Sequence, residues 1–323
     1  MLNLAVIGAG LVGKAHLAAI NAVPGARTAC IVDPDPRAQE VALAGGAAYY
    51  PSLTAMFAAQ QIDGAILATP SQMHLEGALA CIGHKCPVLV EKPLATTIKD
   101  AEQIVSAARD ANTPVLTGHH RRHGAILKTV KSLIDDGALG AITSVHVTCW
   151  FRKPDDYFDV EWRSKPGGGP VFINTIHDID ALRFLFGAIA SVSALTSART
   201  RGGSVEDSAA VVLAFQSGVL ATITVSDATV SPWSWELTSG ENPGFPATSQ
   251  ASYLIGGTKA SLSVPDMMLW CHQRADSWTN PMQAQKIAIT KTDPLIAQIQ
   301  QFAAVIRGQE PPLVSAMDGL QSL

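Results

Sequence analysis

The chain has 323 residues, which is enough for about two domains with a sizeable core. Hydrophobic residues make up 47% and charged residues 15% of the sequence, as in an ordinary folded protein. The net charge of −4 provides no general attraction to nucleic acid or to an anionic membrane, and no apolar run reaches the roughly 18 residues of a membrane-spanning helix.

The cysteines and the N-terminal segment bear on the cellular compartment. The five cysteines are an odd set without a C-x-x-C pair or zinc-ligand spacing, which is typical of reduced thiols. The N-terminal apolar stretch has neither a basic flank nor a small-residue cleavage site, so we do not expect a signal peptide. We expect a cytoplasmic protein with no bound metal, no nucleic-acid partner and no membrane partner.

The first 33 residues predict a complete dinucleotide-binding unit. An apolar strand over residues 2–7 leads into Gly8-Ala-Gly10-Leu-Val-Gly13, and a helical pattern follows over residues 12–22. The glycines of such a turn provide a tight bend, access for a pyrophosphate and close packing of helix and strand. The helix N-terminus then favours the anion, because its N–H groups are unpaired.

The next apolar run, residues 28–32, ends in Asp33, 20 residues after Gly13. A carboxylate there can bind a ribose 2′-hydroxyl and would repel the 2′-phosphate of NADP, so we predict NAD. Arg37 is close enough in sequence to accommodate that phosphate, so NADP stays an alternative. The cofactor-binding residues predicted in this unit are Gly8, Gly10, Leu11, Val12, Gly13, Asp33 and Arg37.

Strand and helix patterns alternate through the first 120 residues. This alternation predicts an α/β fold with a doubly wound parallel sheet, here a Rossmann domain over residues 1–121. Ligands bind beyond the carboxyl ends of such strands, and Gly13, Asp33, Thr69 and Glu91 fall at or just past that edge. The further strands are predicted at 64–68, 87–91 and 114–118, and the helices at about 35–44, 72–82 and 98–111.

The pattern changes after about residue 122 and predicts an α+β domain over residues 122–323. Strand-like runs dominate, separated by Gly, Pro, Ser and Asn turns, which indicates a large, mostly antiparallel open sheet. Such a sheet can leave one face for a partner subunit, so we expect a homodimer or homotetramer through it. The predicted helices cover 126–135 and about 170–186, and the strands include 142–151, 209–215, 220–225 and 253–255.

The tripeptide Glu91-Lys92-Pro93 ends an inner strand of the first domain. A lysine at a buried edge beside the nicotinamide can donate a hydrogen bond to a developing alkoxide, and desolvation readily changes its pKa. The alternative is a solvated lysine at a strand end, which composition alone favours.

A second motif, residues 167–180, begins with three glycines and ends in a helical pattern. On an α-helix Asn174, His177 and Asp178 share one face. His177 can take a hydroxyl proton as hydride leaves the same carbon. A packed or capping histidine is the alternative, and Asp180 is interpreted as structural.

A third motif, Gly118 to His123, contains three histidines and two arginines. No second carboxylate or thiol group lies nearby at metal-ligand spacing, so a metal site is rejected. We interpret the segment as a hinge between the domains, with Arg122 contacting substrate. The six tryptophans can stack on a sugar ring, or they fill the core and subunit interfaces.

Together these motifs resemble the Gfo/Idh/MocA oxidoreductase family, which includes inositol dehydrogenases and glucose–fructose oxidoreductases. The resemblance extends over nearly the whole chain. It implies a Rossmann domain, a second domain whose open sheet serves oligomerisation, and NAD(P)-dependent oxidation or reduction of a polyol, sugar or cyclitol. The matching residues are Gly8, Gly10, Gly13, Ala68-Thr-Pro-Ser71, His74, Glu91-Lys92-Pro93, Trp162-Arg163, Gly167-Gly-Gly169, His177 and Asp180.

By this resemblance Lys92 assists the hydride step and His177 transfers the proton. Asn174, Arg122 and Arg163 are expected to bind substrate. The nicotinamide half of the cofactor is expected to be bordered by Thr69, Pro70 and Glu91, and His74 and Lys92 are also expected to bind the cofactor.

The sequence departs from the family pattern at two places. Many sugar-active members carry an aspartate four residues before the histidine, and here that position is Ile173. Asn174 can replace part of its hydrogen bonding but not its charge. Relatives continue past the position of Leu323 into a final helix, so the resemblance implies a truncated terminus.

The leading hypothesis is a dehydrogenase that uses NAD, or NADP, to act on a secondary alcohol or ketone of a sugar, sugar acid or cyclitol. One alternative is a dehydrogenase of a cyclic diol derived from an aromatic compound, which would suit Ile173 and the tryptophan-rich second domain. Another is a non-catalytic NAD-binding regulator of the same fold. The presence of both Lys92 and His177 argues against a regulator, because a sensor needs no proton-transfer pair.

Overall fold

A computed structural model describes residues 1–273 and 277–323. The chain forms two compact units. The first consists of Met1–His123 together with Pro294–Leu323, and the second of Gly124–Asp293. The first boundary lies two residues from the predicted one. The C-terminal segment differs from the prediction, which assigns all of residues 122–323 to the second domain.

The sheet of the first unit is parallel throughout. In the described part of the chain its strands are β1 (Leu2–Ile7), β2 (Ala26–Val32), β3 (Ala48–Tyr50), β4 (Gly64–Leu67), β5 (Val88–Val90) and β6 (Val115–Thr117). Their order is β3-β2-β1-β4-β5-β6. The order reverses between β1 and β4, where a doubly wound sheet opens a ligand-binding crevice at its carboxyl edge. The predicted α/β fold is confirmed.

Helices cover this sheet, and its central strands are apolar on both faces. They are α1 (Leu11–Asn21), α2 (Ala38–Ala44), α3 (Leu53–Ala59), α4 (His74–Gly83) and α5 (Ile98–Ala111). Side-chain caps begin two of them: Ser52 accepts the Ala55 N–H, and Thr97 accepts the Asp100 N–H. Short 3₁₀ turns at Ser71–Met73 and His120–His123 follow β4 and β6. Two short elements, β3 with three residues and α3 with seven, are not predicted from the sequence.

The second unit contains a large, mostly antiparallel sheet, as predicted. Its strands within the described ranges are β7 (Ile142–Trp150), β8 (Ile189–Ser197), β9 (Ser208–Phe215), β10 (Leu220–Ser226), β11 (Tyr253–Gly257), β12 (Ser261–Val264), β13 (Met268–His272) and β14 (Met282–Lys286). The order is β14-β13-β12-β11-β7-β10-β9-β8, and β7 pairs with β10 in parallel. The other neighbours are antiparallel.

Two longer helices and a short one belong to this unit: α6 (Ala125–Asp135), α7 (Ile176–Phe186) and α8 (Trp235–Thr238). Residues of α6 and α7 form one core with the inner face of the sheet. Short 3₁₀ turns cover Asp155–Asp159 and Glu161–Ser164. The predicted helix over about 170–186 is confirmed in extent, but its first turn, Val171–Thr175, is π-helical and continues directly into α7. Asn174 lies in that turn, so its α-helical spacing from His177 does not hold.

The C-terminal helices α9 (Pro294–Ile306) and α10 (Ala316–Ser322) explain the difference in domain assignment. Phe302 of α9 is fully buried in a cluster that includes Leu4 of β1 and Ile66 of β4. A parallel sheet must be covered on both faces, and α9 supplies part of that cover. Gly64 makes room for it, since a Cβ there would lie 2.6 Å from Ile306 Cδ1.

No helix within residues 1–273 and 277–323 is long and apolar enough to cross a membrane.

Candidate functional site

In the glycine turn at the start of α1, two glycines are required by close backbone contacts, and the third borders open space. Gly8 has φ +97°, and a Cβ there would lie 2.6 Å from the carbonyl oxygen of Ala68. A Cβ on Gly13 would lie 1.9 Å from the carbonyl oxygen of Gly8. Gly10 has no atom within 4 Å of its Cβ position and begins α1 without a side-chain cap. The turn therefore leaves uncapped helical N–H groups facing open space, which fits a pyrophosphate. Leu11 and Val12, beside it, are exposed.

Asp33 is held against this turn from the end of β2. Its Oδ2 accepts the Ala9 N–H at 2.7 Å, and its Oδ1 accepts the Asp35 N–H at 2.8 Å. Each carboxylate oxygen has a second lone pair, so both can still accept a hydroxyl. The carboxylate is therefore oriented before any ribose arrives.

Arg37 is exposed and bound to Asp35. Its Nε and Nη2 donate to both carboxylate oxygens of Asp35, at distances from 2.5 to 3.0 Å. These hydrogen bonds lower the pKa of Asp35. A 2′-phosphate would therefore have to compete with a carboxylate for the guanidinium group.

Thr69, Pro70 and His74 follow β4. The Thr69 hydroxyl oxygen is buried and has no hydrogen-bond partner among the described residues, which suits a bound ligand at this edge, and Pro70 is exposed. His74 is buried at the start of α4, with Nδ1 2.8 Å from the Pro93 carbonyl oxygen and Nε2 3.0 Å from that of Thr69. Burial lowers the pKa of His74, against the effect of the two carbonyl groups. The ring thus joins the segments that follow β4 and β5.

Glu91 and Lys92 lie at the end of β5. Glu91 is only 9% exposed, and its Oε2 accepts the backbone N–H of Lys92 at 3.1 Å. Its Oε1 lies 2.7 Å from Nε2 of His16, a residue of α1 that sequence reasoning missed. Burial alone would raise the pKa of Glu91, but His16 and the positive charge of Lys92 outweigh it and lower the pKa to about 2. Glu91 is therefore an anion beside the half-buried Lys92.

The turn after β6 is buried rather than solvated. Arg122 is 4% exposed, and its Nη1 donates to Asp318 Oδ1 of α10 at 3.1 Å. Burial lowers the pKa of the neighbouring His120 to about 4, so that ring is neutral near pH 7. Arg122 thus has a partner within its own unit, and its contact with substrate stays a prediction. No cluster of three His, Cys, Asp or Glu side chains suited to a metal occurs in residues 1–273 and 277–323.

In the second unit α7 carries His177 near its start. Its neighbour Asp178 is buried and accepts the Tyr253 hydroxyl of β11 at 2.5 Å, so a hydrogen bond anchors this end of the helix to the sheet. The side-chain oxygen of Asn174 is buried and lacks a partner among the residues that the structure describes. An unpaired carbonyl oxygen of this kind is suited to a substrate hydroxyl.

Arg163 is held by aromatic residues of the same segment. Its Nη1 donates to the Tyr157 carbonyl oxygen at 2.9 Å, and its guanidinium carbon lies 4.1 Å from the centre of the Tyr157 ring. Trp162, beside it, is half exposed. Arg163, Asn174 and His177 belong to the second unit, whereas Lys92 and the glycine turn belong to the first.

The glycine turn generates a prediction that separates folding from cofactor binding. Gly10→Ala should leave the melting temperature unchanged, because its Cβ meets no protein atom. It should weaken NAD binding at least about 10-fold, because the methyl group would occupy the space left for the pyrophosphate. Gly13→Ala should lower the melting temperature itself. Calorimetric titration would measure NAD affinity, and thermal unfolding would measure the melting temperatures. Unchanged NAD affinity in Gly10→Ala would contradict pyrophosphate binding at the glycine turn.

Several curated relatives are similar to the chain. The inositol 2-dehydrogenase 2 of Mycolicibacterium vanbaalenii is 33% identical over 199 residues, covering 59% of this chain and 55% of the relative. A 1,5-anhydro-D-fructose reductase of Ensifer adhaerens is 27% identical over 267 residues, covering 81% of this chain and 74% of the relative. The chain therefore spans about half the length of the inositol dehydrogenase.

Solved structures share the fold over the whole chain. The WlbA dehydrogenase from Bordetella pertussis, in complex with NADH and UDP-GlcNAcA, has a TM-score of 0.78 and 26% identity, covering 99% of this chain and 92% of that one. An oxidoreductase from Agrobacterium radiobacter, in complex with NAD⁺, L-tartaric acid and magnesium, has a TM-score of 0.81 and 23% identity, covering 99% and 93%. The second similarity shows the fold alone.

Two family models together match most of the chain. Residues 2–119 match the oxidoreductase family with an NAD-binding Rossmann fold. Residues 127–263 match the Gfo/Idh/MocA C-terminal domain. The first match lies in the unit that holds the glycine turn, and the second in the unit that holds His177. The chain therefore belongs to the Gfo/Idh/MocA oxidoreductase family, and its first unit is an NAD-binding Rossmann domain.

Proposed function

We propose that this protein is an NAD-dependent dehydrogenase that transfers a hydride between the nicotinamide and a secondary alcohol or ketone of a sugar, sugar acid or cyclitol. The observation that carries the proposal is the half-buried Lys92, backed by an ionised Glu91 in the unit that holds the dinucleotide turn. The names of the relatives support the same substrate class, since they include an inositol dehydrogenase and an anhydrofructose reductase.

The glycine turn and Asp33 would hold NAD, which would supply a hydride acceptor for oxidation or, as NADH, a hydride donor for reduction. Lys92 donates a hydrogen bond to the reacting oxygen and stabilises the negative charge that develops there. His177 takes the hydroxyl proton during oxidation and returns it during reduction, a role typically worth about 10²–10⁴-fold in rate. The Asp178–Tyr253 hydrogen bond restricts the start of α7 and so limits the positions that His177 can take.

Asn174 supports a hydroxyl-rich substrate. Its buried side-chain oxygen has no partner in the described part of the chain, and a polyol hydroxyl can donate to it. This contact would replace part of what an aspartate at position 173 provides in other sugar-active members. Arg122 and Arg163 are further candidates for contacts with substrate. The proposal extends to the cofactor: Thr69, Pro70 and Glu91 would border the nicotinamide, and His74 would contribute to cofactor binding.

A substrate panel tests the proposed function. Polyols, aldoses, sugar acids, inositols and cyclic diols would be offered with NAD and with NADP, following absorbance of the reduced nicotinamide. We expect turnover with one group of sugars or cyclitols. Lys92→Met should lower kcat by about 100-fold or more with little change in NAD affinity, because it removes a donor needed mainly in the transition state. His177→Gln should also lower kcat.

Lys99→Met, which removes an exposed lysine of α5, is the matched control and should keep full activity. Turnover of cyclic diols alone would favour the alternative substrate class. Tight NAD binding without turnover of any compound would count against the proposed enzyme and favour a regulator.

Preference for NAD follows from the geometry around Asp33. The Asp33 carboxylate is fixed against the glycine turn by the Ala9 N–H, and Arg37 is bound to Asp35. Asp33→Asn keeps an acceptor for the Ala9 N–H but removes the charge, so it should narrow the ratio of NAD to NADP affinity by about 10-fold or more. Calorimetric titration would measure both affinities, with Arg37→Ala as the comparison. Tighter binding of NADP than of NAD by the unaltered protein would overturn the assignment.

We propose that the protein forms a homodimer or homotetramer through the outer face of the second unit's sheet. The strand registers place large exposed hydrophobic side chains on this one face, and the strand residues between them are mostly small or polar, with a single lysine, Lys286. A face that exposes several large hydrophobic side chains and almost no charge is typical of an interaction site. The large residues are Leu195, Val212, Leu220, Leu254, Trp270 and Met282.

Leu254→Glu tests this interface. Leu254 is exposed on the inner strand β11, so a carboxylate there costs little in the monomer but would be buried unpaired between subunits. Light scattering should show dissociation to monomers, whereas Leu43→Glu, at an exposed site of the first unit, should not change the mass. A monomeric unaltered protein, or an unchanged mass for Leu254→Glu, would refute the interface.

A further inference from the structure

A buried hydrogen bond joins the dinucleotide-binding helix to the end of β5. His16 lies in α1, three residues after Gly13, and is fully buried. Its Nε2 is 2.7 Å from Oε1 of Glu91, 75 residues later in the chain. The other carboxylate oxygen accepts the backbone N–H of Lys92. Through Glu91, the helix that begins at the pyrophosphate turn thus contacts the backbone of the proposed catalytic lysine.

The Glu91 carboxylate has little freedom to leave this position. Gly118, after β6, would place a Cβ only 2.9 Å from Glu91 Oε2 and 3.0 Å from Glu91 Cα. The absence of a side chain at Gly118 therefore creates the space that the carboxylate fills. The Gly118 N–H donates to the Val90 carbonyl oxygen at 2.7 Å, which fixes the two strand ends against each other. With β6 behind it, the carboxylate is held between His16 and the Lys92 N–H.

The charges around Glu91 favour its anionic form in spite of burial. Burial opposes ionisation, and His16 on α1 and Lys92 on its own segment outweigh that effect, so its pKa falls to about 2. His120 in the turn after β6 also faces the pair, but burial and Arg121 hold the pKa of its ring near 4. The interaction between two opposite charges is reciprocal, so the Glu91 anion also favours the charged form of the Lys92 side chain.

We propose that His16 is a positioning residue for the reaction: by holding the Glu91 carboxylate from helix α1, it fixes the backbone of Lys92 and keeps a negative charge beside its ammonium group. This inference rests on the proposed role of Lys92 in the hydride step. A histidine that only fills the core of the Rossmann domain is the competing explanation, and it requires no donor at Nε2.

Two substitutions separate these explanations. In His16→Met the new side chain fills a similar volume but has no hydrogen-bond donor. In His16→Gln the glutamine amide nitrogen is as many bonds from Cα as the histidine Nε2, so it can still donate to Glu91. We expect His16→Met to lower kcat by about 10- to 100-fold, because Lys92 would then be slightly misplaced relative to the reacting oxygen. KM and NAD affinity should stay within about 3-fold, and His16→Gln should recover most of the loss.

The pH profile gives a readout that packing alone would not move. Only protonated Lys92 carries the positive charge that stabilises the alkoxide, so activity should fall as the pH rises through the pKa of Lys92. His16→Met frees the carboxylate to move away, and Glu91→Gln removes its charge, so both should lower the pKa of Lys92 by about 1 or more. The alkaline limb of the kcat profile should move to lower pH by the same amount.

A measurement without turnover keeps this inference separate from the proposed function. Carbon-13-labelled lysine in the intact protein allows NMR titration of Lys92, whose signal is identified by its loss in Lys92→Met. A lower Lys92 pKa in His16→Met and in Glu91→Gln, but not in His16→Gln, would support the positioning role even if no substrate in the panel reacted. Glu91→Gln serves as the second variant should His16→Met fail to fold.

The inference is overturned if the Lys92 pKa stays at its original value in Glu91→Gln. Equal damage by His16→Gln and His16→Met would also overturn it, because the loss would then come from the missing ring and not from the missing donor.

Discussion

The first unit depends on how closely β1, α1 and the end of β4 approach one another at the glycine turn. A Cβ at Gly13 would overlap the Gly8 carbonyl oxygen, and one at Gly8 would overlap that of Ala68. Because no side chain intervenes, the start of α1 lies directly beyond the sheet edge with its first N–H groups free of side-chain caps. The same approach brings the buried face of α1, with His16, against the end of β5. The proposed anion site and the proposed support of Lys92 therefore have one structural origin.

In the second unit the two faces of the sheet have different surroundings: the inner face packs against helices and the outer face is exposed. Alternate residues along β9 point inward and form the core with α6 and α7, whereas the other residues lie on an outer face with exposed hydrophobic side chains and almost no charge. The inner face thereby holds α7, and a hydrogen bond from Tyr253 to Asp178 fixes the end of the helix that carries His177. Because the sheet serves as both a platform and a surface, changes on its outer face need not disturb the residues proposed to react.

The sequence predicts what local patterns determine and misses what distant contacts determine. The G-x-G-x-x-G turn and the alternation of strands and helices identify the Rossmann sheet, because period and turn chemistry are local. The packing of α9 on the first unit cannot be predicted from the sequence, because its apolar face contacts β1 and β4 only once the sheet has formed. Arg122 has its partner 196 residues away in Asp318. The π-helical turn at Asn174 cannot be recognised either, because its residues also occur in α-helices. His16 cannot be told from any other residue on the buried face of α1.

The energetics of Glu91 argue that its charge serves chemistry more than stability. Taking a carboxylate out of water costs several kcal/mol, and a buried pair with a histidine repays this only when every hydrogen bond is well made. An amide of the same shape would fill the space left by Gly118 and accept the Lys92 N–H without that cost. What an amide cannot do is place a negative charge beside the Lys92 ammonium group. A carboxylate at this position therefore fits the proposed role of Lys92, in which a neighbouring negative charge favours the protonated lysine that stabilises a developing alkoxide.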